Sequence, residues 1–460
     1  METLLKEVNS VISGAFLPAV LFISGAYFLI KIGGFIFSPC LLRAVFISPK
    51  RVKHVFRTCA LKDKKGSRKK KKDTPFPSLC LALAGTLGVG NISGVAAAIT
   101  VGGPGAVFWI WVSAIVSSVL KFSETVLAIC YRKRSPEGGF SGGAHLYIKN
   151  GLKAPRIAAL FLVTCIFTSL TMGSITQTRA AADGVLLSLN VPPVICGAVF
   201  FVTVLFLSLG GGKRISAFTV RLIPPLCIGY VILSLAVIVI RRGDIPYVTS
   251  VIFSEAFTPR AGVSGVLGFL SSGALRYGVA RGVMSNEAGC GTAPFAHARA
   301  ETDSAVRQGV FGIVEVLTDT LVLCTLTAYV VLLSGVSLGN VSATETAINA
   351  FCTSLGGGAR VFLGVSIFLF ALGSLAGWSF YGQESVKALG GGRKMLFVYG
   401  VTLAIASLLG CLMSEGVVWE LADLSISLMA VINVSAVMLL SSAVTSVTRE
   451  FYEGVRKGES

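Results

Sequence analysis

Two short polar, glycine-rich segments interrupt apolar stretches of this chain. The first is Gly85-Thr86-Leu87-Gly88-Val89-Gly90-Asn91-Ile92-Ser93-Gly94, the second Ser285-Asn286-Glu287-Ala288-Gly289-Cys290-Gly291-Thr292-Ala293-Pro294. Glycine permits positive φ and close backbone approach. Unwinding of the first segment would free carbonyls able to coordinate a monovalent cation. The half-helix starting near Asn91 and Ser93 would offer free N–H groups and a positive dipole end, which can hold a carboxylate. The second segment places Asn286 and Glu287 at membrane depth, where an ionisable group is functional by default. Two roles compete for Glu287: binding a cation or a substrate amine, or pairing with a basic group such as Arg281 as a structural strut. The spacing Gly88-x-Gly90-x-x-x-Gly94 lacks the strand–turn–helix context of a dinucleotide site. Close helix packing of the GxxxG kind is the other reading, and Thr86 and Asn91 among the glycines argue against it.

Further polar residues fall on other apolar stretches: Glu124, Gln177, Asp183, Glu315, Asp319, Trp378, Glu384, Glu420 and Asp423. Glu124 follows Lys121 by three residues, which predicts a same-helix ion pair. Asp319 suits either a relay or an interhelical hydrogen bond. Glu384, Glu420 and Asp423 fall near span ends. A Gln177 amide can bind both ends of a zwitterion, and a Trp378 indole can wall a small pocket; core packing is the alternative for each.

These residues must be carried by membrane helices. The chain is 53% hydrophobic and only 13% charged, with mean hydropathy +0.79, against roughly 25% charged in soluble domains. With about 20 apolar residues per crossing, about 11 spans are predicted, at 12–38, 77–101, 105–131, 156–187, 191–209, 217–240, 260–297, 306–334, 357–388, 394–413 and 417–445. The alternation of an outer-membrane barrel is absent. The N-terminal apolar run exceeds a signal-peptide core and lacks a small-residue cleavage pattern, so it reads as a retained span.

The net charge of +18 does not point to nucleic acid, because the basic residues fall in loops where the positive-inside rule places them. A cytoplasmic loop at 42–74 puts the basic loops 132–156, 213–221, 299–307 and 387–394 and the tail 449–460 on the same side. The loops around Asn190, Asn340 and Ser414 carry no Lys or Arg; Arg241-Arg242 with Arg260 is a mild exception. The N-terminus is then outside and the C-terminus cytoplasmic. The run 62–72 suits a topology signal, with anionic lipid as a second reading. Eleven scattered cysteines show no CxxC or Cys/His cluster and read as small packing residues. His54, His145 and His297 are too far apart in sequence to suggest a metal site. Nothing resembles the nucleophile–base pair of an enzyme.

Setting the first span aside leaves ten, with the two glycine-rich segments in the first and sixth. An odd number of helices per half gives the halves opposite topology. The expectation is therefore a five-plus-five inverted repeat, 75–242 and 243–448, preceded by one extra helix in 1–41. A matched pair of broken spans marks a transporter's binding site.

Several motifs resemble the alanine or glycine:cation symporter family of the amino acid–polyamine–organocation superfamily. They are the stretch from Pro75-Phe76 to Arg132, including Gly102-Gly103-Pro104-Gly105-Ala106-Val107-Phe108-Trp109, and the stretch from Arg281 through Ser285-Asn286-Glu287 to Ala298. Gly173-x-x-x-Gln177, Asp319-Thr320 and Gly377-Trp378-Ser379-Phe380-Tyr381-Gly382 complete the set. The resemblance implies the inverted five-helix fold with an extra N-terminal helix. It also implies sodium-coupled uptake of alanine or glycine through a bacterial or archaeal plasma membrane, with no cofactor. Carried over by motif, the substrate site comprises Thr86, Gly90, Asn91, Gln177, Ser285, Asn286 and Trp378. The coupling ion would lie among carbonyls of Ala84, Gly85 and Leu87 and groups of Leu372, Gly373 and Ser374.

Three positions depart from the family. Gly373-Ser374 stands where a Ser-Thr pair is usual, removing one hydroxyl near the ion. Met284 replaces a common Phe and so joins the substrate-site candidates, because a thioether can reshape a small pocket. Gln383 replaces a Glu. Proton coupling is the alternative to sodium, and a channel or a sensor on the same fold is a weaker one. The oligomeric state is not legible.

Overall fold

The computed structural model describes residues 9, 12, 16–38, 76–135, 139–258, 273–302, 304–338 and 341–457. The basic loop and the N-terminal part of the seventh expected span lie outside these residues. The described residues are helical almost throughout. In chain order the helices are α1 (Leu17–Ile36), α2 (Phe76–Thr86), α3 (Ser93–Gly102), α4 (Ala106–Tyr131), α5 (Pro155–Leu189), α6 (Pro193–Leu209), α7 (Gly211–Ile240) and α8 (Ile245–Glu255). They continue with α9 (Gly273–Asn286), α10 (Ala293–His297), α11 (Ala305–Ser334), α12 (Ala343–Leu355), α13 (Gly358–Ala388), α14 (Arg393–Gly410), α15 (Glu415–Leu439) and α16 (Ser441–Arg456). A two-stranded antiparallel ribbon pairs Lys133 with Ser141 and Arg134 with Phe140.

Among the described residues eight helices are long and apolar enough to cross a membrane, or nine if the bent pair α2–α3 is one span. The expected spans 191–209 and 260–297 correspond to the shorter α6 and to α9 with α10. Ile228, Ile232, Leu235 and Val239 on α7 are exposed, as a lipid-facing surface requires, so this is a polytopic membrane protein. The last expected span ends early: α15 stops at Leu439 and α16 follows as a separate helix against α1 and α4. Helices α8 and α12 lie in the connections after α7 and α11 and pack onto the bundle.

Both polar segments interrupt helices. Helices α2 and α3 meet at 62°, with extended backbone at Gly88 and a single 3-10 turn over Val89–Asn91. Helix α9 ends at Asn286 and α10 begins at Ala293. Between them Glu287, Gly289 and Gly291 have φ of 51°, 81° and 78°, a left-handed run that side chains disfavour and glycine permits. Glu287 occupies such a position although it is not glycine.

Helix α13 approaches the first interruption closely. A Cβ on Gly377 would lie 2.6 Å from the Gly85 backbone nitrogen, so only glycine lets the two backbones meet. Gly377→Ala is expected to cost about 1–3 kcal/mol by overpacking and to slow uptake. Thermal unfolding and initial uptake rates measure both; wild-type values would show that α2 has room to move.

Candidate functional site

The first interruption is held by α5 and α11. The Asn91 amide Nδ2 donates to the Asp319 carboxylate Oδ1 at 2.6 Å and to the Asp319 main-chain carbonyl at 3.1 Å. Thr327 donates to the Asn91 carbonyl at 2.7 Å. Gln177 Oε1 accepts from Val89 N–H at 3.0 Å, while its Nε2 donates to the Met172 carbonyl at 3.3 Å. Both partner helices loosen into π-helical turns here, at Thr171–Thr176 in α5 and Leu317–Cys324 in α11. Such insertions often mark functional sites, and they re-aim Gln177 and Asp319.

Near the expected start of the half-helix, Ile92 N–H donates to the Val89 carbonyl at 3.2 Å. Upstream in the break, Gly88 N–H donates to the Thr86 carbonyl at 2.8 Å and Leu87 N–H to the Leu83 carbonyl at 2.7 Å. The Thr86 hydroxyl turns back to the Ala82 and Leu83 carbonyls at 3.5 and 3.4 Å. Gly90 faces the second interruption, where a Cβ would lie 3.7 Å from Ser285 Cα.

The second interruption closes onto the same carboxylate. Ser285 donates to Asp319 Oδ2 at 2.7 Å, and Thr320 donates to that oxygen at 2.8 Å. Asp319 therefore joins the two broken segments. Asn286 Oδ1 accepts from Ala288 N–H at 3.0 Å. Trp378 is fully buried, and its indole donates to Glu287 Oε1 at 2.9 Å, with Thr292 donating to Oε2 at 2.7 Å. Met284 is buried, and its sulfur lies 3.0 Å from an Arg281 guanidinium nitrogen.

At the candidate ion position, the Ser374 hydroxyl donates to the Gly85 carbonyl at 2.9 Å. Ala84, Leu87 and Leu372 are buried around it. Gly373 points elsewhere: a Cβ there would lie 2.8 Å from Ile223 Cδ1 on α7. The hydroxyl that this position lacks relative to the family would be aimed at α7.

Several expected pairings change. Arg281 does not strut Glu287; it bonds Asp423 through both guanidinium nitrogens at 3.3 Å and lies 4.5 Å above the Trp419 ring. Asp423, discounted as a span-end residue, is therefore engaged. Lys121 pairs with Glu315 at 3.1 Å rather than along its own helix with Glu124. Glu315 also meets His297 Nε2 at 2.9 Å, and Gln308 bonds His297 Nδ1 at 2.7 Å. Glu124 accepts from Gly291 N–H at 3.1 Å and from Asn433 at 2.9 Å. The helix periodicity behind the Lys121–Glu124 expectation was sound, but α11 and α15 supply better-placed partners. Asn433 escaped the sequence reading. It also donates to the Gly289 carbonyl at 2.8 Å and accepts from Tyr147. An amide in the middle of the apolar stretch 417–445 was the available signal.

Broken helices meeting around buried amides, inside a bundle with a lipid-facing surface, define a membrane transporter. The sodium:alanine symporter family model matches residues 1–460, and the chain belongs to that family. It is 32% identical to the sodium/alanine symporter AgcS of Methanococcus maripaludis, across 100% of this chain and 98% of that one. It is 36% identical to the uncharacterized transporter YflA of Bacillus subtilis, across 82% and 81% of the two chains. It is 34% identical to a second protein of that organism, named "probable sodium/glutamine symporter GlnT", across 91% and 86%. The fold resembles that of the Eremococcus coleocola manganese transporter, with TM-score 0.55 at 12% identity over 86% and 90% of the chains.

Proposed function

We propose that this protein imports a small neutral amino acid, alanine or glycine, together with sodium by alternating access. The observation that carries this reading is the meeting of both helix breaks at Asp319, with Asn91 and Ser285 on the same carboxylate. The substrate would lie between the breaks, bordered by Thr86, Gly90, Asn91, Gln177, Met284, Ser285, Asn286 and Trp378. The ion would sit where the Gly85 carbonyl and the Ser374 hydroxyl face one another, with Ala84, Leu87 and Leu372 nearby and Gly373 contributing backbone only, its α-carbon turned toward α7. Kinship with a sodium/alanine symporter supports the pairing of cargo and ion.

In this reading the helices form two inverted repeats, 75–242 and 243–448, after one extra helix. The plasma membrane holds them with the N-terminus outside and the C-terminus in the cytoplasm, as the basic loops favour. Alternating access rocks the segment carrying the breaks against the other helices. Sodium raises the affinity for the amino acid, and linkage requires the converse.

The test is uptake of radiolabelled alanine and glycine by proteoliposomes under an imposed sodium gradient. Accumulation above the equilibrium level is expected, which a channel cannot produce. Equal uptake with sodium replaced by choline at constant pH would overturn sodium coupling. Proton coupling is the second reading. It is favoured by the buried carboxylates Glu124, Glu287 and Glu315 near the ammonium of Lys121, and it predicts that a proton gradient alone drives uptake.

A further inference from the structure

Helix α6 begins at Pro193 close to the place where α14 ends at Gly410, and two cysteines meet in this joint. Cys196 lies in the first turn of α6, and Cys411 directly follows α14. Both are buried, and both are free thiols. The two thiol groups are hydrogen-bond partners of one another. The Cys411 sulfur also lies 3.4 Å from the Thr178 carbonyl and 3.6 Å from the Ser407 carbonyl. Its S–H therefore has acceptors of its own, and its lone pairs are left for the Cys196 S–H. The backbones approach closely on both sides of the pair. A Cβ on Gly197, next to Cys196, would lie 3.5 Å from Cys411 Cβ and 3.3 Å from the Leu408 carbonyl oxygen. A Cβ on Gly410, next to Cys411, would lie 2.7 Å from Ile175 Cα on α5. The end of α14 is thus wedged between α6 and α5. Arg179 on α5 holds it there by donating to the Cys411 carbonyl at 3.2 Å.

We infer that Cys196 and Cys411 form a modification site, an oxidisable pair whose disulfide ties α6 to α14. Thiols already in contact need mainly side-chain rotation to reach the S–S distance of about 2.05 Å. The oxidant is a small-molecule disulfide. The Cys411 thiolate attacks one of its sulfurs, forming a mixed disulfide and releasing one thiol. The Cys196 thiolate then attacks the Cys411 sulfur, closing the bridge and releasing the second thiol. Two electrons pass from the cysteines to the oxidant, and the two cysteine protons leave on the released thiols. Access comes from the helix end, where fraying costs least; Leu412, next to Cys411, is exposed. In the orientation proposed above this joint lies on the outer side, and disulfides persist in oxidising outer compartments. The bridge joins parts that already move together. Gly197 meets Leu408 at one end of the helix pair, and a Cβ on Gly400 would lie 3.1 Å from Ser208 Cβ near the other. Contact at both ends leaves α6 and α14 no separate swing, so the disulfide acts on stability and not on the transport cycle.

The test treats purified, detergent-solubilised protein with dipyridyl disulfide, digests it without reduction and identifies the peptides by mass spectrometry. The expected product joins the peptides of Cys196 and Cys411, is two hydrogens lighter than their sum and is split by dithiothreitol. Oxidised protein should unfold about 2–5 °C above reduced protein, because the bridge closes a long loop in the unfolded chain. Cys196→Ala and Cys411→Ala should each abolish both the joined peptides and the thermal gain, and either variant that folds is sufficient. Initial uptake of radiolabelled alanine by proteoliposomes should be the same before and after oxidation. Folded wild-type protein that yields no joined peptides overturns the inference, as does an equal thermal gain in Cys196→Ala. Joined peptides without a thermal gain would show that the bridge ties nothing. Uptake that stops on oxidation and returns with dithiothreitol would overturn the joint movement of α6 and α14. The bridge and the thermal gain are read without transport, so a failure of the symporter reading would leave this test intact.

Discussion

Lys121→Met is expected to destabilise the protein by about 3–5 kcal/mol, the cost of removing one partner from a buried ion pair. Lys121 and Glu315 are both essentially inaccessible and lie 3.1 Å apart. Glu124 and Glu287 are also fully buried, and their field acts on the same ammonium. Methionine fills similar volume without charge, so the loss is electrostatic. Glu315 would keep His297 as its neighbour at 2.9 Å, which offsets part of the loss only if the imidazole is protonated. Thermal unfolding of the detergent-solubilised protein measures the effect. Lys121→Met combined with Glu315→Gln should recover part of the stability, because no uncompensated charge then remains at that pair. A single variant that melts with the wild type would show that the pair contributes nothing.

Asn91→Ala is expected to weaken substrate binding about 10- to 100-fold while leaving the fold intact. The substitution removes a polar group proposed to border the substrate and both bonds to Asp319. A hydrogen bond to a charged group contributes about 1.5–3 kcal/mol, and about 1.4 kcal/mol is a factor of ten in affinity. Asp319 keeps its bonds to Ser285 and Thr320, so the carboxylate is not stranded. Calorimetric titration of alanine at saturating sodium gives the affinity, and thermal unfolding reports the fold. Unchanged affinity would remove Asn91 from the binding site.

The transporter kinship leaves the cargo to be set locally. A sodium/alanine symporter and a protein named for glutamine stand at 32% and 34% identity to the same chain. Met284, whose sulfur touches Arg281 two residues before α9 ends at Asn286, is the departure from the family proposed above to act on the cargo. Arg281 is anchored by Asp423 and Trp419, so the neighbour of the Met284 sulfur is held in place.

The helical class, the membrane setting and the two helix breaks were legible in the amino-acid order because they depend on local properties. Runs of about 20 apolar residues need lipid around them, and glycines with amides inside such runs mark where backbone hydrogen bonding must be interrupted. The break residues Gly88 and Gly289 were identifiable for that reason. Pairing was not. Lys121 has Glu124 on its own helix, yet its bonded partner is Glu315, 194 positions away; Arg281 has Glu287 six positions on and bonds Asp423 instead. Which carboxylate meets which cation depends on how α4, α9, α11 and α15 cross, and many crossings are compatible with the same apolar stripes. The role of Asp319 is of the same kind. Its place in an apolar span was visible, but that it holds both breaks at once, and thereby orients Asn91, follows only from three helices converging within hydrogen-bond distance.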